Sequence, residues 1–306
     1  MKDLFGFEND GVSRFALFHD ESECNKSNFL YHGFLFVRNE YGRKILDNLK
    51  DIKQKYNKGF EEIHFHDLYH RPDSPHGIDT KIAIEWLYFL RECLEKDFVK
   101  FYFFGADKNN IKNFWNREFD KKLYLRFFEI GLKSSIRWFN IDVVSHIFFD
   151  EGRHDDGRKE KIEWISNYFF DNKFLHEINH KNIFPLNSAE KESNSEFSNF
   201  IQAVDILLGS VRLSFAEPGK NQYGQRKCVE SFIDIVERFN NQKRASNINS
   251  KYWKRFCIQF FPTPSDITKE EFLSDNIESI KKRGGFYCDR LTYDQKLAQN
   301  SNLTLF

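Results

Sequence analysis

Nothing in these 306 residues spells a glycine-rich phosphate loop. There is no GxxxxGK[ST] loop, no GxGxxG after an apolar strand and no GxSxG elbow. Nucleotide-driven and serine-hydrolase chemistries therefore lack their usual scaffolds. Net charge is missing too: 46 Lys and Arg balance 46 Asp and Glu, so a nucleic-acid partner requires local basic patches. The cysteines Cys24, Cys93, Cys228, Cys257 and Cys288 are odd in number and form no CxxC pair. With no signal-like opening, they are expected to be reduced thiols in a cytoplasmic protein. No uncharged apolar run reaches transmembrane length, so no membrane partner is expected. Methionine occurs once against 36 phenylalanines, a bias that reads as compositional drift rather than chemistry. Hydrophobic residues at 40% suffice for a packed core.

Apolar runs alternate with amphipathic ones along the chain. Residues 14–19 and 29–37 read as two strands joined by the turn-like Glu23-Cys24-Asn25-Lys26-Ser27-Asn28. Ile45, Leu46, Leu49 and Ile52 recur at helical spacing within residues 40–56. Residues 61–66 alternate and read as a short strand, and Pro72 and Pro75 mark a loop. Helices are predicted at 81–96, 117–137, 158–171, 195–215 and 228–239. Strands are predicted at 98–105 and 141–149, with one more within 174–186 bounded by Pro185. From residue 242 the pattern weakens. The expectation is an α/β fold with a mixed sheet covered by helices over residues 1–240, and a mainly helical C-terminal extension over 241–306.

Four carboxylates occupy similar local settings. Asp20 follows the first apolar strand, Glu62 lies in the third strand-like run, and Asp150 follows the strand at 141–149. Asp205 lies on a helix where Ile201, Gln202, Leu208 and Gly209 share its face. A charge on such an apolar face is costly unless compensated. Hard cations such as Mg²⁺ or Mn²⁺ take oxygen ligands of this kind. Two such ions about 4 Å apart clamp the attacking and leaving oxygens of a phosphodiester, without a covalent nucleophile. The competing explanation is that each acid caps a strand or pairs with an arginine.

The motifs Asp20-Glu21-Ser22, Gly33-Phe34, Glu62-Ile63-His64, Asp150-Glu151, Ser188 and Gln202-Ala203-Val204-Asp205 with Gly209 occur in that order. In this they resemble the bacterial "domain of unknown function 3800" family, over roughly residues 12–215. The resemblance implies a ribonuclease H-like fold with Asp20, Glu62, Asp150 and Asp205 as Mg²⁺ or Mn²⁺ ligands. Glu21, Ser22, His64, Ser188 and Gln202 would be supporting groups. Glu23 departs from the pattern, which usually has glycine there, and so adds a carboxylate or alters the turn.

Other constellations compete. His64, His66, Asp67 and His70 crowd together, and on a strand His64 and His66 would share a face, as in a separate zinc centre. His154, Asp155 and Asp156 extend the acid-rich run after Asp150. Lys251, Trp253, Lys254 and Arg255, with Lys220, Arg226 and Lys227, mix positive charge with aromatic faces. Such a mixture suits phosphate contact and base stacking, and equally an amphipathic helix with a solvated face. The leading expectation is a metal-dependent nuclease acting on RNA or DNA, with RNA slightly preferred by family analogy. The alternative is a non-catalytic module that binds nucleic acid or protein, or pairs with its own copy.

Overall fold

Phe15, Ala16, Leu17, Phe18 and His19 are all buried on strand β1 (Arg14–Glu23), and eight successive residues of β2 (Phe29–Arg38) are buried as well. Strands apolar on both faces must sit inside a sheet covered on both sides. The computed structural model describes residues 3, 5–6, 11–23, 29–59, 61–107, 120–150, 183–186, 195–216, 219, 222–244, 254–261, 292 and 294. After the β1–β2 hairpin come α1 (Asn39–Lys55), α2 (Ile78–Glu95), β3 (Val99–Asp107) and α3 (Asp120–Phe139). They are followed by β4 (Val143–Asp150), β5 (Ile183–Leu186), α4 (Ser198–Ser214), α5 (Tyr223–Arg244) and β6 (Phe256–Phe261).

The six strands form one mixed sheet in the order β5-β4-β1-β2-β3-β6. Strand β2 runs antiparallel to β1 and β3, while the pairs β1–β4, β4–β5 and β3–β6 are parallel. The chain leaves β1 toward β2 and β3, then crosses back to place β4 on the other side of β1. That reversal makes the carboxyl ends of β1 and β4 a topological switch point, where α/β sheets open a crevice for ligands.

Alternation along β1 divides the two faces. Phe18 stacks on Phe148 of β4 and on Phe200 of α4, with ring centroids 4.8 and 4.3 Å apart, so even-numbered β1 residues face α4. His19 meets Phe128 of α3 edge-on at 4.7 Å, so odd-numbered residues face α3. Two glycines set close approaches. A Cβ on Gly33 would lie 2.9 Å from Val204 Cγ1, so its absence lets α4 settle against the sheet beside Asp20. A Cβ on Gly209 of α4 would lie 2.2 Å from the ring of Phe65.

Several expectations need correction. Strand β1 runs to Glu23, so Asp20, Glu21 and Ser22 lie within it rather than after it. Residues 61–66 are not a strand; the segment closes into a 3₁₀ turn at Phe65–Asp67. Pro185 sits inside β5 rather than bounding it, which an edge strand with one neighbour tolerates. Helix α5 begins five residues before the predicted start at 228 and runs past the expected boundary at residue 240. The strand β6, unforeseen in the extension, pairs with β3 and completes the sheet. The predicted helix at 158–171 lies outside the described residues. No described helix is long and apolar enough to cross a membrane.

Candidate metal centre

At the switch point β1 presents Asp20 on the α4 face, between Phe18 and Ser22. The parallel register pairs His19 with Phe149, which brings Asp150, the last residue of β4, alongside Asp20. Neighbouring strands lie about 4.8 Å apart, so the two carboxylates share one face at close range. Helix α4 lies over them and contributes Asp205. The stack of Phe200 on Phe18 anchors this helix to the sheet.

Asp20 is 7% exposed. Burial, then the charges of Asp205, Asp150 and Glu21, hold its carboxyl well above the usual carboxylate range. Opposing them, the backbone N–H of Glu21 donates to Asp20 Oδ1 at 2.7 Å. Three acids from three elements are thus driven into one buried region against their mutual repulsion.

Glu62 and His64 arrive on the segment preceding the 3₁₀ turn, which α4 holds in place. The Phe65 N–H donates to Asp205 Oδ2 at 2.8 Å, and the Ile63 N–H donates to Gln202 Oε1 at 3.3 Å. His64 lies between carboxylates, with Nε2 2.8 Å from Glu62 Oε1 and Nδ1 3.6 Å from Asp205 Oδ2. Those neighbours raise its pKa to about 10, so it is an imidazolium at neutral pH. Glu62 therefore joins the strand acids through His64 and Asp205.

Behind Gln202, Lys53 of α1 donates to both Gln202 Oε1 and Asn199 Oδ1, at 3.2 and 3.3 Å. The Ser22 hydroxyl accepts a hydrogen bond from Arg212 of α4 at 2.9 Å. Arg212 was missed at the sequence level. Its position seven residues after Asp205, on one helix face, was the available signal.

Ser188, Glu151, His154, Asp155 and Asp156, together with Lys220, Lys251 and Trp253, lie outside the described residues. Glu23 is described only as β1 backbone. The histidine centre does not assemble: His66 turns to the Tyr69 hydroxyl at 3.0 Å, and His70 faces His76, while His64 points to Asp205.

Two predicted nucleic-acid contacts are engaged with the backbone. Arg255 donates to the carbonyls of Leu94 and Glu95 and pairs with Asp97 at 3.2 Å. It lies just before β6, at the amino end of the parallel strands and away from Asp20. Arg226 donates to the Leu213 and Ala216 carbonyls at the end of α4. Lys254 is exposed at the same far end of the sheet, and Lys227 pairs with Glu230 on the surface of α5.

No known family model, curated protein or solved structure matches this chain.

Proposed function

We propose that the protein is a metal-dependent phosphodiester hydrolase, a nuclease built on a ribonuclease H-like sheet. The observation that carries this reading is the carboxyl of Asp20, buried and facing Asp150 and Asp205 at the switch point. A divalent cation relieves the repulsion that this arrangement otherwise leaves in place, so the donor set fits a hard ion. Among the described residues, these acids do not form a trio whose ligand atoms all lie within 4.8 Å of one another. A cation held there would complete its shell with water, as magnesium does. The mixed six-stranded sheet flanked by helices is compatible with an α/β fold of the kind the resemblance implies.

Mg²⁺ or Mn²⁺ held by Asp20, Asp150 and Asp205 would supply electrophilic stabilisation of a phosphodiester during in-line displacement. The protein's own groups do the rest. His64 keeps a proton between Glu62 and Asp205, and its half-exposed ring offers positive charge to an incoming phosphate. Arg212, braced on Ser22, places a second cation on the α4 side of β1. Gln202 and the Phe65 N–H fix the 62–65 segment against α4, which keeps Glu62 and His64 in place.

The test is cleavage of single- and double-stranded RNA and DNA with Mn²⁺, with Mg²⁺ and with EDTA. Asp20→Asn and Asp205→Asn should each abolish the divalent-dependent cleavage. Cleavage that survives EDTA, or survives both substitutions, overturns the proposal. The ion pairs of His64 favour a second reading, a non-catalytic nucleic-acid-binding module. There the imidazolium serves as the site's resident counter-charge. Binding unaffected by EDTA, with no cleavage of any substrate, would select it.

A further inference from the structure

We infer that the opposite face of the same hairpin carries a second and chemically different metal site, formed by His19, Glu21 and His32 and suited to Zn²⁺. His19 and Glu21 are two apart on β1, so their side chains emerge on the α3 face, while Asp20 between them emerges on the other. The antiparallel register places His32 of β2 directly opposite Glu21. Cross-strand partners share a face, so the three side chains meet under α3.

The geometry is close. His19 Nε2 lies 3.0 Å from His32 Nδ1, and His19 Nδ1 lies 3.8 Å from Glu21 Oε2. One ligand atom from each residue falls within 4.8 Å of the others. The two contacts of His19 use different ring nitrogens, only one of which can hold a given ion. Donors at about 2.0–2.1 Å from a tetrahedral zinc stand roughly 3.3 Å apart, so the set must close from within 4.8 Å by side-chain rotation. Both histidines are fully buried, and Phe34 and Phe128 surround His19.

The donor set decides the ion. Two imidazoles and one carboxylate form the N,N,O set that zinc accepts, whereas magnesium and calcium prefer oxygen alone. The Glu21 side chain is 19% exposed, so water can reach the fourth position from that side. An ion here would bind β1 to β2 just before the connection at residues 24–28. It would thereby stiffen the strand segment that holds Asp20 toward the other face. The site shares no ligand with the acids of the nuclease proposal and does not depend on it.

The experiment uses the full chain, free of any histidine tag, stripped with chelator and titrated with Zn²⁺ alone. Calorimetry should find a bound equivalent that is lost in His32→Gln and weakened at least about tenfold in Glu21→Gln. X-ray absorption on the zinc adduct should show scattering from two imidazoles, and Asp205→Asn should leave the affinity unchanged. Because His32 is buried, circular dichroism must show that its variant is folded, and Glu21→Gln provides an independent reading at a partly exposed position. The inference fails if no stoichiometric zinc binds, or if binding persists in both the Glu21 and His32 variants. It fails equally if the affinity falls with Asp205→Asn, or if the adduct lacks imidazole scattering.

Discussion

Lys53 offers the sharpest quantitative test of the packing behind the acids. Its side chain is 1% exposed, with its ammonium on Asn199 and Gln202 and 5.8 Å from the centre of the Trp86 ring. Burial lowers its pKa from 10.5 to about 8, although the nearby charge of Glu62 opposes the fall. Between pH 8 and 10.5 the unfolded chain keeps the Lys53 proton and the folded chain releases it, so stability rises with pH across that window. Integrating the difference in bound protons gives a gain of about 1 kcal/mol from pH 7 to pH 9. The full shift corresponds to about 3 kcal/mol that the folded protein forfeits at neutral pH by holding the charge.

Lys53→Met removes the titrating group and keeps most of the volume. Urea unfolding of wild type and variant at pH 7 and pH 9 isolates the Lys53 contribution, because independent ionisations cancel in the comparison. Wild type should gain about 1 kcal/mol more than the variant between the two pH values. At pH 7 the variant should be no less stable than wild type, since relief of the buried charge offsets two lost hydrogen bonds of about 1 kcal/mol each. Equal pH slopes in the two proteins would show that Lys53 is not held as a buried ammonium.

Asp20→Asn should abolish cleavage while raising the melting temperature, because it removes a carboxyl whose ionisation burial, Asp205 and Asp150 all oppose. Calorimetry beside the cleavage assay checks both, and a lowered melting temperature would contradict the electrostatic account. Gly209→Ala should push Phe65 aside and lower activity without touching a carboxylate, at about 1–3 kcal/mol in stability. Chemical denaturation and turnover measured together test that coupling. Arg255→Ala should cost about 1–3 kcal/mol by removing its hydrogen bonds to the Leu94 and Glu95 carbonyls and its pair with Asp97, which keeps Arg38 and Lys100, yet leave nucleic-acid affinity unchanged in a gel-shift assay.

Much of the architecture follows from local pattern. Ile45, Leu46 and Leu49 recur at helical spacing, and their side chains are buried along α1. The apolar run of β2 reads as a strand because a sheet covered on both faces demands little else. The segment at 61–66 misled for a physical reason. Its alternation satisfies a strand, but its backbone is fixed by Asp205 and Gln202, which are 140 and 139 residues away in sequence. Strand β6 was hidden similarly: Phe256–Phe261 is a short apolar run beside a basic cluster, and only its pairing with β3 makes it a strand. The bias toward phenylalanine, read as drift, also has structural work to do, since Phe18, Phe148 and Phe200 bind α4 to the sheet.

The sequence by itself determined the alternation of strands and helices, and the presence of acids where charge is costly. Those properties are local, because apolar periodicity and the cost of an unpaired carboxylate act over a few residues. Only the tertiary structure decided which acids meet and which face each group occupies. It separated His19 and Glu21 from Asp20, drew His64 to Asp205, and committed Arg255 and Arg226 to backbone carbonyls. Strand register and the crossover from β3 to β4 make those choices, since a shift of one residue turns every side chain to the opposite face.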